Sequence, residues 1–421
     1  MVKVAIMGYG TIGSGVYEVL TGNRDKIAAN VGQEVQVKYI LDLRDFPGSP
    51  VEDKIVHDFQ VIADDPEVQI VVETMGGLNP AYPFVKTCLE VGKNVVTSNK
   101  ALVAAHGTEL LAIAREKKVN FQFEASVGGG IPIIRPLYEC LMGEQIQEIT
   151  GILNGTTNFI LTKMDKEGAS FDAVLKEAQE LGYAERNPEA DVEGYDTCRK
   201  IAILTAMATG KEVDFEDIQT EGITKITDVD FKYADKMGTS IKLFGTSRMN
   251  GDQVFAWVAP LMIGKSHPLY AVNDVFNGIM VKGNMLGTSM FYGSGAGKLP
   301  TASAVVGDIF DIVRNILAGC CGRIGCTCYR ECPIKRVGEI KSKYFVRMQI
   351  ENRYGTLASV ASVFGNNKVS IAQMLQKRVN GKYAEIVVIT DEVKERHFED
   401  AMQILGGMSM IQEISSTIRV Y

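Results

Sequence analysis

At 421 residues, 46% of them hydrophobic and 23% charged, the chain has room for roughly two to four domains, each with its own core. A formal net charge of −7 argues against a nucleic-acid or anionic-membrane partner, and no apolar run approaches the roughly 18 residues of a membrane span. The N-terminal MVKVAIMG reads as a strand and not as a secretory signal, so a cytoplasmic location is expected, with most of the eight cysteines as reduced thiols.

Short apolar runs alternate with helical patterns through residues 1–126. VKVAIMG, VQVKYIL, IVVETM, NVVTS and VNFQFEAS read as strands, and TIGSGVYEVLTG, NPAYPFVKTCLEVG and ALVAAHGTELLAIAREKK as helices. Strands that are apolar throughout and separated by helices predict a parallel sheet covered on both faces, in a doubly wound, Rossmann-type domain. Its first strand–helix junction is Gly8-Tyr9-Gly10-Thr11-Ile12-Gly13. Glycines there let the backbone approach a pyrophosphate at the helix N-terminus, where free N–H groups and the dipole favour anions. The second strand ends with Asp42, which suits the ribose 2′-OH of NAD, and Arg44, which suits the 2′-phosphate of NADP, so both cofactors stay open. Lys100 follows a strand and sits in the first turn of a helix, a poor place for a cation unless a ligand or partner needs it. The loop EASVGGGIP, residues 124–132, offers the Glu124 carboxylate and inward-turning carbonyls that suit a hard cation, but on spacing alone it reads as a flexible strand-to-helix loop.

From about residue 140 the pattern becomes α+β. EITGILNGTTNFIL predicts a strand and turn, FDAVLKEAQELG a helix, and VFAWVAPLMI with FNGIMVKGNMLGTSMFYGSG a broad antiparallel or mixed sheet of the sort that often forms a subunit interface. Between them, Gly182–Lys200 is dense in carboxylates and then turns apolar. Asp196 and Lys200 share one helix face, and that spacing fits either a chemically active lysine or a solvated i,i+4 pair. Glu189, Asp191 and Glu193 read as a solvated loop. The glycine loop ending at Gly297 precedes a helix that could return to the first domain. Cys320, Cys321, Cys326, Cys328 and Cys332 lack the paired spacing of common zinc sites and read as reduced linker thiols. Residues 344–421 follow the order β-α-β-β-α-β of a ferredoxin-like unit, with Asn352-Arg353-Tyr354-Gly355 at its first turn.

Six motifs in order, GYGTIGSGV, TSNKALVA, EASVGGGIP, GILNGTTNFI, GYAE…DVEGYDTCRK and GSGAGKLPTASAVVGD, resemble the homoserine dehydrogenase family in its form with a C-terminal ACT regulatory domain. The resemblance spans essentially the whole chain. It implies four segments: an NAD(P)-binding Rossmann domain over 1–130, an α+β catalytic and dimerisation domain over 131–300, a returning helix with a cysteine-rich linker over 301–335, and the ACT domain over 343–421. It implies reduction of L-aspartate 4-semialdehyde to L-homoserine with NADP or NAD. Lys200 would donate the proton to the carbonyl oxygen, and Lys100 would contact cofactor and substrate as a second acid/base. Glu185 and Asp196 would hold the substrate, with Gly155 and Thr156 bordering it. Gly8, Gly10, Thr11, Ile12, Gly13, Lys100, Gly182 and Gly297 would line the cofactor. A structural sodium ion would sit on Glu124, Val127, Gly129 and Ile131. An amino-acid effector, threonine, would act through the ACT domain of a homodimer or homotetramer. One departure is that the first ACT turn lacks the family's D-x-P-G proline.

Overall fold

The computed structural model describes residues 1–251, 253–321, 332–335, 337–379 and 382–421. Its N-terminal sheet comprises β1 (Val2–Met7), β2 (Val35–Leu41), β3 (Ile55–Val56), β4 (Val68–Glu73), β5 (Asn94–Thr97) and β6 (Phe121–Gln122), in the order β3-β2-β1-β4-β5-β6. All five pairings are parallel. The order reverses between β1 and β4, which makes the crevice at their carboxyl ends the expected ligand position. Helices α1 (Thr11–Gly22), α2 (Arg24–Val31), α3 (Gln60–Asp64), α4 (Ala81–Glu90) and α5 (Lys100–Lys117) connect the strands.

The middle of the chain contributes β7 (Ile146–Ile152), α6 (Gly155–Glu167), α7 (Phe171–Glu180), α8 (Glu189–Val192), α9 (Tyr195–Thr209), β8 (Gln219–Thr220), α10 (Asp228–Lys236), β9 (Thr239–Asn250), β10 (Gln253–Gly264), β11 (Phe276–Gly283), β12 (Gly287–Ser294) and α11 (Lys298–Ala318). The C-terminal unit runs β13 (Lys341–Glu351), α12 (Thr356–Asn366), β14 (Ile371–Val379), β15 (Tyr383–Thr390), β16 (Val393–Lys394), α13 (Glu395–Gly406) and β17 (Ile411–Val420). One path of hydrogen-bonded strands, β12-β11-β7-β9-β10-β17-β13-β15-β14, crosses both regions.

Packing follows from the strand alternation. Val4 and Ile6 of β1 point to the side where Val16 of α1 meets Val305, Ile309 and Ile312 of α11. Ala5 and Met7 point to the other side, toward Val85 and Leu89 of α4 and Leu102 and Leu110 of α5. That double covering is why β1 is apolar along its length. The late helix α11 thus completes the first domain's core, and Asp308 on it accepts from the Glu124 amide at 2.8 Å.

One sequence expectation changes. GTTNFIL, expected as turn, opens α6: Asn154 caps it, its side chain accepting from the Thr157 amide at 2.8 Å. The β-branched and aromatic residues weighed toward strand, but an asparagine cap and burial of Phe159, Ile160 and Leu161 outweigh that propensity. The C-terminal unit keeps its expected ferredoxin-like order and also pairs with the middle of the chain. Its β17 joins β10 in parallel through Leu261–Arg419 and Met262–Val420, giving two exposed strand edges a partner.

Candidate active site

Three junctions converge beside the carboxyl end of the parallel sheet. The first is the turn from β5 into α5. Asn99 caps α5 through Leu102 (3.2 Å) and donates to the Gly77 carbonyl at 2.6 Å. Buried Glu73 at the end of β4 accepts from Thr97 at 2.5 Å and from the Met75 amide at 2.8 Å. Burial raises this carboxyl, and its hydrogen bonds oppose that rise. These contacts fix the turn that carries Lys100.

The second junction is Leu153-Asn154 between β7 and α6, and the third is α8 with the first turn of α9. Here Asp196 is 2% exposed and holds both lysines. Lys100 Nζ pairs with its Oδ1, and Lys200 Nζ lies 2.8 Å from its Oδ2. Burial would raise the Asp196 carboxyl, but Lys200 and Lys100 outweigh it and hold the group below the usual carboxylate range. Burial pushes the Lys200 ammonium down, while Asp196 pulls it back up. Lys200 also donates to the Leu153 carbonyl at 2.7 Å. An ammonium has three N–H donors, so one remains for another acceptor.

Asn154 bridges the carboxylates, donating to Asp191 at 2.7 Å and to Asp196 at 2.8 Å. Asp191 is therefore not part of a solvated loop, as its acidic sequence surroundings suggested. It is half-buried on α8, and burial followed by the charge of Asp196 raises its carboxyl. Glu189 is exposed, as expected. Glu185 is exposed too, and its backbone carbonyl accepts from Gln179 at 3.1 Å. Gly182 takes a positive φ of 75° in the preceding turn, and Thr156 ties that turn to α6 by donating to the Tyr183 carbonyl at 2.6 Å. Gly155 packs so closely that a Cβ would lie 2.8 Å from the Val275 carbonyl oxygen.

The glycine loop is built for close approach. A Cβ on Gly13 would fall 1.9 Å from the Gly8 carbonyl oxygen, whereas one on Gly10 would meet nothing within 4 Å. Gly13 closes the strand–helix turn, and Gly10 keeps its outer face clear. No acidic side chain occupies the first turn of α1, where Thr11 and Ile12 begin the helix. These features fit a dinucleotide pyrophosphate. At the end of β2, Arg44 binds Asp42 through Nε (2.9 Å) and Nη2 (3.0 Å), and Asp42 also accepts from the Tyr9 amide at 2.8 Å. The two residues that compete in sequence are partners in space. Gly297 has a φ of 120° and starts α11, and the neighbouring Lys298 pairs with Glu18 of α1 at 2.7 Å.

In the 124–132 loop, Glu124 accepts from the amides of Ile133 (2.6 Å), Ile134 (2.9 Å) and Arg135 (2.7 Å). Its carboxylate caps the following turn. The carbonyls of Val127, Gly129 and Ile131 accept no backbone hydrogen bond among the described residues. Among those residues no group of three His, Cys, Asp or Glu side chains is arranged for a metal ion. Cys326 and Cys328 lie outside the described residues. Cys198 is buried, and burial raises its thiol.

A doubly wound parallel sheet with a glycine loop, beside a buried aspartate held by buried Lys200 and half-buried Lys100, fits a nicotinamide-dependent oxidoreductase. Three family models match in succession: "Homoserine dehydrogenase, NAD binding domain" over residues 8–124, "Homoserine dehydrogenase" over 132–310 and "ACT domain" over 344–407. The Bacillus subtilis homoserine dehydrogenase is 39% identical over 428 residues, covering all of this chain and 98% of that protein. A homoserine dehydrogenase structure from Thiobacillus denitrificans superposes with a TM-score of 0.93 at 36% identity, covering 100% of this chain and 98% of that one. A hyperthermophilic archaeal homoserine dehydrogenase mutant in complex with NADPH gives a TM-score of 0.63 at 29% identity, covering 74% of this chain and 97% of that one. The chain belongs to the homoserine dehydrogenase family, in its form with a C-terminal ACT domain. It is an NAD(P)-dependent oxidoreductase acting on a CH–OH group.

Three residues of the site escaped the sequence reading: Glu73, Asn154 and Asp191. Asn154 carried a usable signal, since an asparagine ahead of a helix is a capping residue. Glu73 and Asp191 carried none, because their roles depend on partners from other segments.

Proposed function

We propose that the chain catalyses reversible reduction of L-aspartate 4-semialdehyde to L-homoserine, within the supply of threonine and methionine, with Lys200 as the proton donor. The observation that carries this is the Lys200 ammonium, which is buried, aligned by Asp196 and the Leu153 carbonyl, and has one N–H to spare. The bound nicotinamide supplies the hydride acceptor or donor. As the carbonyl oxygen gains negative charge, the free N–H of Lys200 stabilises it and passes the proton. Burial brings Lys200 down from its ordinary value, which eases proton release in reduction and uptake in oxidation. Lys100 keeps a second positive charge on Asp196 at the cleft side and serves as second acid/base toward cofactor and substrate. Glu185 is the exposed carboxylate left for the substrate ammonium, with Asp196 orienting the other end.

The division of labour follows the same reading: cofactor binding in 1–130 with Gly8, Gly10, Thr11, Ile12, Gly13 and Lys100, joined by Gly182 and Gly297 from the next segment, substrate in 131–300, regulation by an amino acid such as threonine in 343–421. The Asp42–Arg44 pair leaves the guanidinium partly exposed beside the ribose position, which supports NADP as well as NAD. Sodium would be held by Glu124 and the carbonyls of Val127, Gly129 and Ile131. Exchange of sodium for choline should then lower the melting temperature. Phe276, Met290 and Tyr292, exposed on the β11–β12 edge, support a homodimer or homotetramer, testable by analytical ultracentrifugation.

The test is spectrophotometric. The chain should reduce each nicotinamide cofactor in the presence of homoserine, and Lys200→Ala should abolish turnover while cofactor still binds. Near-normal kcat in that variant sinks the assignment.

A further inference from the structure

A cavity of about 490 Å³ lies where the ACT unit meets the middle of the chain. One wall is the segment 219–226 with Glu193, and the other is α13 with β17. Arg419 bridges them: its guanidinium donates to Glu221 (3.1 Å) on one side and to Glu395 on the other. Two carboxylates on one buried guanidinium leave a negative excess. The Glu193 and Glu399 carboxylates add to it, and neither accepts a hydrogen bond or forms an ion pair among the described residues. Burial raises the Glu399 carboxyl, and the nearby charge of Glu395 adds to that.

Positive and neutral donors are also unspent. Lys225 lines the same cavity without a partner among the described residues. β17 bulges here, since Ser416 faces Arg347 and Ile414 faces Met348, leaving Ser415 unopposed. The Ser415 hydroxyl is buried in the cavity wall with no hydrogen-bond partner. Bulges re-aim side chains next to binding sites. Free carboxylates for an ammonium, and a lysine and hydroxyl for a carboxylate, are the complement of a small zwitterion. The volume suits a free amino acid with a few waters.

This wall reaches the lysine–aspartate cluster within a few contacts. The Ile223 amide donates to the Val192 carbonyl at 2.8 Å, and a Cβ on Gly222 would lie 2.3 Å from that same oxygen. Val192 ends α8, whose Asp191 shares Asn154 with Asp196. We propose that this cavity is an amino-acid effector site separate from the first ACT turn at Asn352–Gly355, and that its occupant acts on Asp196 through α8. The inference deepens the regulatory part of the proposed function, and its binding step can be measured whether or not that function holds.

The experiment uses the full chain and calorimetric titration with each of the twenty free L-amino acids, then the methyl ester and N-acetyl form of the best binder. One amino acid should bind, and blocking either end should weaken it at least tenfold. Glu399→Gln and Lys225→Met should each weaken it at least tenfold, and Arg353→Ala should leave it within twofold. The ligand should change the kcat of the wild-type chain at least threefold, and that effect should disappear together with binding in Glu399→Gln. Absence of binding by all twenty overturns the proposal, as does binding lost in Arg353→Ala but kept in Glu399→Gln and Lys225→Met. If binding follows the cavity while homoserine oxidation fails in the unliganded chain, the reaction is wrong and the site stands.

Discussion

Three lysines are buried among the described residues, and two of them, Lys200 and Lys242, hold α6 and the residue just ahead of its cap. Lys200 is 8% exposed and Lys242, on β9, is 1% exposed. Burial lowers both ammonium groups, Lys242 to about 8. Their partners differ. Lys200 has an ionised carboxylate at 2.8 Å and one N–H left over. Lys242 has only neutral oxygens: the Val272 carbonyl and Asn273 Oδ1 at 2.9 Å, Asn158 Oδ1 at 3.3 Å and Thr162 Oγ1 at 3.4 Å. Those oxygens use up its donors and close the 272–274 turn onto α6. The difference teaches that burial makes a lysine's charge costly, but a counterion and a spare N–H make it chemically useful.

The strongest way to break the contrast is to make Lys200 resemble Lys242. Asp196→Asn keeps the shape and removes the counterion, so kcat should fall about a thousandfold, the middle of the range for a positioned acid. Unchanged kcat would mean that the carboxylate does not set the state of Lys200. Next in size is the pH dependence of stability that Lys242 confers. Its folded pKa is about 8 against an ordinary value of 10.5, so between these limits the unfolded chain binds more protons. Stability should therefore rise with pH through that window, by up to about 3 kcal/mol from this group. Chemical denaturation at pH 8 and pH 10, compared with Lys242→Met, reads the difference. A wild-type profile no steeper than the variant's would refute it.

Lys242→Met itself should cost about 2 kcal/mol at neutral pH, because Asn158 Oδ1 and Asn273 Oδ1 are left without their donor. Turnover should stay within a few-fold of wild type. A raised melting temperature would show that the lysine is tolerated and not structural.

These two lysines also mark what the sequence could and could not convey. The glycine loop, the strand–helix alternation and the Asp196–Lys200 spacing are local patterns, and each is legible within a few residues. The approach of Lys100 to the same carboxylate needs two junctions brought together from 96 residues apart, so no spacing encodes it. The enclosure of Lys242 is not legible in its neighbours either. In TSIKLFG this lysine alternates with Ile241 and Leu243, as on a strand with one wet face. Here α6 and the 272–274 turn cover that face, so the apparent outward lysine is fully enclosed. Asp191 does mislead. Its acidic neighbours suggested solvent, yet Asn154 draws it into the cluster.

Asp191 gives the finest test of the comparison, because it separates one carboxylate's influence from two. Its charge helps hold the proton on Lys200, after the larger contribution of Asp196. Asp191→Asn is nearly isosteric, and its amide oxygen can still accept from Asn154, so geometry should survive and kcat stay within about threefold of wild type. Removing a negative charge makes protonated Lys200 less favourable. The alkaline limb of the kcat profile for reduction, where Lys200 loses its proton, should move to lower pH. The acid must be protonated for that direction, so activity would fade earlier as pH rises. A limb that moves upward would assign the titration to another group. A limb that does not move would leave Asp196 alone as the carboxylate that separates Lys200 from Lys242.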